Sequence, residues 1–326
     1  MRATRPMLLA LLLATEVAGA VPLAEFPELG AFIDEMAARH GYPAGALSEL
    51  FAQVEIKPEI VAAIERPAEA RPWYEYRLRF VDRKRIDGGL RYWKEHAATL
   101  ERAEAQFGVP PQVIVALIGI ETDYGRNAGR FRVADALTTL TLQYPPRAAF
   151  FRRELEEYLL LTRDLGISPL NIKGSYAGAI GIPQFIPSSY RRYAVDFDGD
   201  GRRDLIGNAA DAIGSVANFL VRHGWQPQAP VTDEVRIEGA RHFWVEQLGV
   251  KPSLTLQQLV SYGIFPRRHH GTELRAALIA LEGEDGPLYR VGYQNFYTIT
   301  RYNRSKRYAM AVYELSELLR AEYENP

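Results

Sequence analysis

The feature that most constrains this chain is an unbroken apolar run, Val113 to Ile120, that ends on a carboxylic acid, Glu121. A helix on a protein surface carries its apolar residues on one stripe, whereas a helix that is apolar all round is buried on every side. The run opens after Gly108-Val109-Pro110-Pro111. There glycine closes one helix and proline, which has no N–H to leave unpaired, starts the next. Gly125 is the expected end of the buried helix, in the left-handed conformation. The chain must therefore build a globular body around this segment, with Glu121 at its rim. Burial disfavours a charged carboxylate, and so does the negative end of the helix dipole. A glutamic acid held protonated near neutral pH is what general acid catalysis requires. The same string equally fits a glutamate turned outward at a helix end.

Length and composition admit such a body. At 326 residues there is room for one large domain or two to three small ones. A chain that is 47% hydrophobic and 24% charged is ordinary for a globular protein with a core. The net charge of −1 gives no electrostatic reason to expect nucleic acid as a partner. The clusters Arg147 to Arg153, Arg202-Arg203 and Arg267-Arg268 have carboxylates nearby and read as solvated surface. There is no cysteine, which excludes a disulfide scaffold, a thiolate metal site, a cysteine nucleophile and a lipid-modified cysteine.

Residues 1–20 read as a signal peptide. Arg2 and Arg5 precede an apolar run, Met7 to Ala14, that is too short to span a bilayer, and Ala18-Gly19-Ala20 has the form of a cleavage site. A short amphipathic helix is the competing reading, against which stands the absence of charge in the run. A soluble chain starting near Val21, in the bacterial periplasm or outside the cell, is the expectation.

Periodicity predicts a mainly α (α+β) protein. Residues 21–104 form a helical domain, with Leu29, Phe32, Ile33 and Met36, then Leu47, Leu50 and Phe51, at helical spacing. Arg71-Pro72-Trp73-Tyr74 reads as a connector, and Tyr92-Trp93 belongs to a helix running towards Phe107. Residues 105–229 form the core, with further helices over Glu154 to Leu165 and Ala209 to His223. Residues 230–300 form a small β-containing domain. In it Val235-Arg236-Ile237 alternates, Ala276 to Leu281 and Leu288 to Val291 flank the turn Gly283-Glu284-Asp285-Gly286, and Phe296 to Thr300 is aromatic and β-branched. Residues 301–326 return to helix and pack back on the core or on the helical domain.

Three further strings carry chemistry. Gly174 to Tyr190, GSYAGAIGIPQFIPSSY, has small residues that let backbone approach a ligand. In it Gln184 supplies a donor and an acceptor suited to sugar hydroxyls, and Ser188-Ser189 could cap a helix. The bland alternative is a tight structural turn. Asp196, Asp198 and Asp200, followed by Gly201, match positions 1, 3, 5 and 6 of a calcium-binding EF-hand loop, with Arg202 at position 7. Position 12 is Gly207 instead of glutamate, which leaves Asp204 or Asp211 as the residues that could complete the shell. The alternative is an acidic turn without metal. Asn295 to Val312 offers Tyr302, Asn303 and Tyr308, aromatic faces and an amide suited to carbohydrate; a strand of surface aromatics is the alternative. The six histidines show no H-E-x-x-H spacing, and no serine sits in a nucleophile elbow.

Taken in this order, the four strings resemble the lytic murein transglycosylase B family over roughly residues 25–320. The resemblance implies a lysozyme-like core flanked by a helical domain and a small β-containing domain. It places the catalytic role on Glu121, in an ET-x-x-G string, and substrate contacts on Ser175, Gln184, Phe185, Arg147, Tyr302, Asn303 and Tyr308. Phe219 follows Asn218 where the family often has tyrosine, so a hydroxyl contact is missing there. The calcium loop of the family ends on a late aspartate, which maps onto Asp211 and extends the EF-hand-like loop over 196–211. The metal set is then Asp196, Asp198, Asp200, Arg202 and Asp211, with Ca2+ as a structural ion.

The implied reaction is cleavage of the β-1,4 bond between N-acetylmuramic acid (MurNAc) and N-acetylglucosamine (GlcNAc) in peptidoglycan glycan strands, leaving 1,6-anhydroMurNAc ends. Glu121 would act first as acid and then as base, since Asp123, two residues on, points to another face if the helix continues. A hydrolytic, lysozyme-like muramidase and an inactive peptidoglycan-binding protein are the alternatives. A periplasmic monomer is expected, with other cell-wall enzymes as the class of protein partner.

Overall fold

The computed structural model describes residues 25–65 and 71–325; the signal peptide read over 1–20 lies outside them. The chain opens with helices α1 (Pro27–His40), α2 (Ala44–Phe51), α3 (Pro58–Ile64), α4 (Trp73–Arg77), α5 (Arg83–Glu95), α6 (Ala97–Phe107) and α7 (Pro111–Thr122). Next come β1 (Phe131–Arg132), α8 (Val133–Gln143), α9 (Ala148–Leu165), β2 (Lys173–Gly174), α10 (Pro187–Tyr193) and α11 (Ala209–Arg222). The last part holds β3 (Thr232–Ile237), α12 (His242–Glu246), β4 (Leu254–Thr255), α13 (Leu256–Ser261), β5 (Ile264–Pro266), β6 (Arg275–Gly283), β7 (Gly286–Gly292), α14 (Gln294–Ile299) and α15 (Lys306–Glu324).

The apolar run becomes α7, and it is buried all round. Gly108 ends α6 at φ 66° and Pro111 opens α7. Ile114, Val115, Ala116, Leu117 and Ile118 have no solvent exposure. Burial of each large aliphatic side chain contributes about 1.5–3 kcal/mol. Helices α5, α6, α11 and α15 enclose α7. The C-terminal helix thus packs on both the core and the N-terminal helices, through Ala309, Val312, Leu315 and Leu319. No single described helix is long and apolar enough to cross a membrane.

The helix does not run to Gly125. It stops at Thr122, because Asp123 and Tyr124 take the left-handed conformation at φ 52° and 63°. The Tyr124 ring then folds back onto α7 and its hydroxyl donates to the Arg85 carbonyl at 2.7 Å. A Cβ at Gly119 would stand 2.5 Å from that hydroxyl oxygen, so the glycine makes the return possible.

Several local expectations also change. Arg71-Pro72-Trp73-Tyr74 is no mere connector: Pro72 is the N-cap of α4, whose Trp73 and Tyr76 are core residues. The helix read through Tyr92-Trp93 is two, broken at His96. Ser188 and Ser189 lie inside α10, not at its cap; Ser188 instead donates its N–H and hydroxyl to the buried Glu154 carboxylate at 3.0 and 2.7 Å. Phe296 to Thr300 is not a strand: Phe296 to Ile299 lie in α14 and Thr300 is its C-cap. Gly292 leaves room for the Phe296 ring to fold back, and the buried Asn295 amide binds the Gln226 and Ala229 carbonyls. Tertiary contacts override the local β preference there.

The hairpin is as read: β6 and β7 pair antiparallel from Ala277↔Gly292 to Gly283↔Gly286. The five-stranded sheet has order β4-β6-β7-β3-β5. Alternation along β6 divides its side chains between two cores. Ala277, Ile279 and Leu281 join the main helical core, and Ala276 and Leu278 join a smaller one with Val245, Leu259, Ile264 and Val291. The five-stranded sheet is therefore fused to the helical body through one face.

Candidate active site

Glu121 is half-buried in the last turn of α7 and lines an open groove of about 530 Å3. Arg126, Asn127, Ala128, Gly129, Arg130, Phe131, Ser175, Tyr176 and Gln184 complete the lining. Two devices bring the glycine-rich string to α7. Thr122, next to Glu121, donates its buried hydroxyl to the Ile182 carbonyl at 2.8 Å and accepts from Gly125 N–H at 2.9 Å. The short strands β1 and β2 pair through Phe131↔Gly174 and Arg132↔Lys173. At that clamp Gly129, at φ 101°, approaches so closely that a Cβ would fall 2.0 Å from the Gly174 carbonyl.

Two of the expected sugar contacts line this groove. Ser175 accepts the N–H groups of Ala177 and Ala179 at 3.2 and 3.0 Å, so its own hydroxyl hydrogen is left for an acceptor in the groove. Gln184, at φ 51°, donates both amide hydrogens to the Ala128 and Gly181 carbonyls at 3.0 and 2.9 Å. Its carbonyl oxygen remains for a donor.

Tyr308, in the first turn of α15, reaches Glu121 directly: its hydroxyl donates to the carboxylate Oε1 at 2.5 Å. Burial, and then the negative charge of Glu121, push the Tyr308 hydroxyl well above the usual tyrosine range. It stays a neutral donor at any working pH. Tyr302 is raised by the same two causes and donates to the Pro183 carbonyl at 2.5 Å, behind Gln184. The Tyr302 and Tyr308 rings stack at 6.5 Å.

The remaining expected contacts lie elsewhere. Phe185 and Phe219 are buried and do not line the groove; with Tyr302 they form an aromatic wall behind Gln184, at centroid distances of 4.8 to 5.7 Å. Phe219 also stacks on His223 at 4.0 Å, so no hydroxyl is wanted there. Arg147 is exposed over the Phe150 ring and is not part of the groove lining. Asn303 sits half-buried between Tyr302 and the cap of α15. Asp123 is turned away by its left-handed backbone and held by Arg126 at 2.8 Å, which keeps its carboxyl below the ordinary range. Sequence reasoning missed the Arg126 to Phe131 wall. Its signal was the pair Gly125 and Gly129 bracketing polar residues just after the Glu121 string.

A family model described as the transglycosylase SLT domain matches residues 25–317. The chain belongs to this family. Membrane-bound lytic murein transglycosylase B of Escherichia coli (strain K12) is 40% identical over 303 residues, covering 89% of this chain and 82% of the relative. The soluble lytic transglycosylase SltB1 of Pseudomonas aeruginosa is 46% identical with a TM-score of 0.84, covering 91% of this chain and 99% of SltB1. The Escherichia coli lytic transglycosylase Slt35 in complex with calcium is 38% identical with a TM-score of 0.85, covering 94% and 97%. The protein is a lytic murein transglycosylase, an enzyme that cleaves peptidoglycan, with a lysozyme-like α+β fold.

Away from the groove of this transglycosylase, Asp196, Asp198 and Asp211 bring carboxylate oxygens within 4.8 Å of one another. Asp211 is fully buried and accepts the Phe197 and Asp204 N–H groups, both at 2.7 Å. Burial raises its pKa above the ordinary value, and the Asp198 and Asp196 charges add to the rise. Concentrated negative charge with an all-oxygen donor set fits a hard cation such as Ca2+. Asp200 is outside the converging group: its carboxylate accepts the Arg202 N–H at 2.8 Å. Asn208, which caps α11, braces Asp198 at 2.7 Å.

Proposed function

We propose that the enzyme cleaves the MurNAc-β-1,4-GlcNAc bond without water, with Glu121 as acid and then base. The observation that carries this reading is that, among the described residues, Glu121 is the only carboxylate lining the groove. A two-carboxylate glycosidase needs a second acid across the sugar, as nucleophile or as base. With none there, the substrate's own N-acetyl oxygen is the available nucleophile. Protonated Glu121 gives its proton to the glycosidic oxygen as the C1–O bond breaks and the N-acetyl oxygen bonds to C1. Glu121, now ionised, takes the proton of the C6 hydroxyl, whose oxygen displaces the N-acetyl oxygen from C1. The product is a 1,6-anhydroMurNAc end and Glu121 regains its proton. Ser175 and the Gln184 carbonyl hold sugar hydroxyls, and Tyr308 orients the Glu121 carboxyl throughout.

Mass spectrometry of sacculus digests tests this. Wild type is expected to release anhydro ends, one water lighter than hydrolysed ends, and Glu121→Gln to release essentially none. Hydrolysed ends instead would establish the muramidase reading. Binding of sacculi without cleavage by wild type would establish the inactive one. Cleavage by Glu121→Gln at the wild-type rate would remove Glu121 from the chemistry.

The Slt35 calcium complex supports Ca2+ on Asp196, Asp198 and Asp211 as a structural ion that ties the 196–211 loop to α11. The peptidoglycan substrate class supports a periplasmic location.

A further inference from the structure

The groove holds two arginines, and their situations differ. Arg126 is committed: it donates to both carboxylate oxygens of Asp123 at 2.8 and 3.1 Å. Arg130 is exposed, lies over the Phe131 ring at 5.2 Å, and makes no ion pair or side-chain hydrogen bond among the described residues. Its backbone is nonetheless fixed. It stands between Gly129, pressed against the Gly174 carbonyl, and β1, paired with β2. Ser175 follows directly on that strand. An unpaired guanidinium is therefore held on a rigid edge of the groove that contains Glu121.

We infer that Arg130 is a specificity-determining residue that pairs with a carboxylate carried by the glycan strand. The inference rests on the reading of this groove as the active site. Guanidinium and carboxylate meet in a planar, two-point geometry that an amide or hydroxyl cannot reproduce. Peptidoglycan offers this chemistry from two sources: the free carboxylates of a stem peptide, and the lactyl carboxylate of a muramyl residue whose peptide has been removed. Neither takes part in bond cleavage. Pairing at Arg130 thus acts on the ground and transition states alike, and appears in KM with little change in kcat. Exposure limits the gain from such a pair, so an effect of about fivefold is expected.

The test compares wild type, Arg130→Ala, Arg130→Lys and Glu121→Gln on three substrates: peptide-bearing strands, strands freed of peptide, and peptide-bearing strands with their carboxylates amidated. Arg130→Ala is expected to raise KM about fivefold on unmodified peptide-bearing or peptide-free strands, with kcat within about twofold. Arg130→Lys is expected to keep the charge and recover only part of the loss. Amidation is expected to bring wild type to the level of Arg130→Ala and to leave Arg130→Ala unchanged. A KM effect on peptide-bearing strands alone assigns the stem carboxylates; one on peptide-free strands alone assigns the lactyl group. If Arg130→Ala raises KM on peptide-bearing strands yet amidation shifts wild type and Arg130→Ala equally, or if Arg130→Ala has no KM effect on either unmodified strand, the inference fails. An active Glu121→Gln would instead overturn the reading of the groove itself.

Discussion

Replacing Thr122 by valine isolates the joint between α7 and the glycine-rich string. The side chain is buried, and valine matches its shape. What is lost is one donor, to the Ile182 carbonyl at 2.8 Å, and one acceptor, for Gly125 N–H at 2.9 Å. Leaving a buried polar group unpaired costs about 1–3 kcal/mol, and Gly125 is half-buried, so water recovers part of its share. The expected destabilisation is about 2–4 kcal/mol, a large fraction of a typical total of about 5–15 kcal/mol. Thr122→Ser keeps both bonds and deletes one methyl group, at about 1 kcal/mol. Urea unfolding of the two variants measures the difference, with activity per folded molecule on sacculi alongside. Because the joint sets Gln184 against Glu121, kcat of Thr122→Val is expected to fall about tenfold or more while the serine variant stays near wild type. If Thr122→Val is no less stable than Thr122→Ser and equally active, the two hydrogen bonds do not hold the site together.

Three other perturbations follow from the same geometry. Tyr308→Phe removes the donor to the Glu121 carboxylate; kcat is expected to fall about tenfold and the basic limb of the pH–rate profile to move to higher pH, because the charged form loses a hydrogen bond. An unmoved profile would show that the tyrosine only fills space. Calcium is expected to raise Tm by binding the folded state only, by about 2.7 kcal/mol of stability at 100 times Kd, and Asp211→Asn to abolish that rise. A calcium-dependent Tm that survives in Asp211→Asn places the ion elsewhere. Glu154 is raised above its ordinary 4.5 by burial, more than the Ser188 hydrogen bonds lower it. The native state therefore holds this proton to higher pH than the unfolded state does. Its contribution is full below about 4.5 and is lost as pH rises through the folded-state value. Unfolding free energies of Glu154→Gln against pH should lack that decline; an identical slope in both proteins would contradict it.

Much of the site was legible because its parts are local. The apolar run announced a buried helix whatever surrounded it, since no packing arrangement leaves eight consecutive apolar residues on a surface stripe. Gly108 and Pro111 marked its start by their backbone restrictions alone, and Gly283 to Gly286 marked the hairpin. Aspartates at alternate positions announced a converging oxygen cluster, and two of the three, with the distant Asp211, do converge. What failed were readings in which local preference meets tertiary demand. Phe296 to Thr300 has β-branched and aromatic side chains, yet becomes helix because Gly292 and Asn295 tie it to distant backbone. Gly125 looked like the helix end, yet Asp123 takes that role because Tyr124 has a place to pack against Gly119 and Arg85.

The sequence by itself determined that a carboxylic acid would stand at the rim of a buried helix, because hydrophobic periodicity and backbone stereochemistry are properties of neighbouring residues. Only the tertiary structure decided what that acid faces. Tyr308 lies 187 positions away and Gln184 comes from a separate loop, joined through Thr122 and through Gly129 against Gly174. That no second carboxylate lines the groove, and that Arg130 within it has no ion pair, among the described residues, are likewise facts of assembly. They depend on which long-range contacts the folded chain satisfies, and no spacing along the chain encodes a contact that is left unmade.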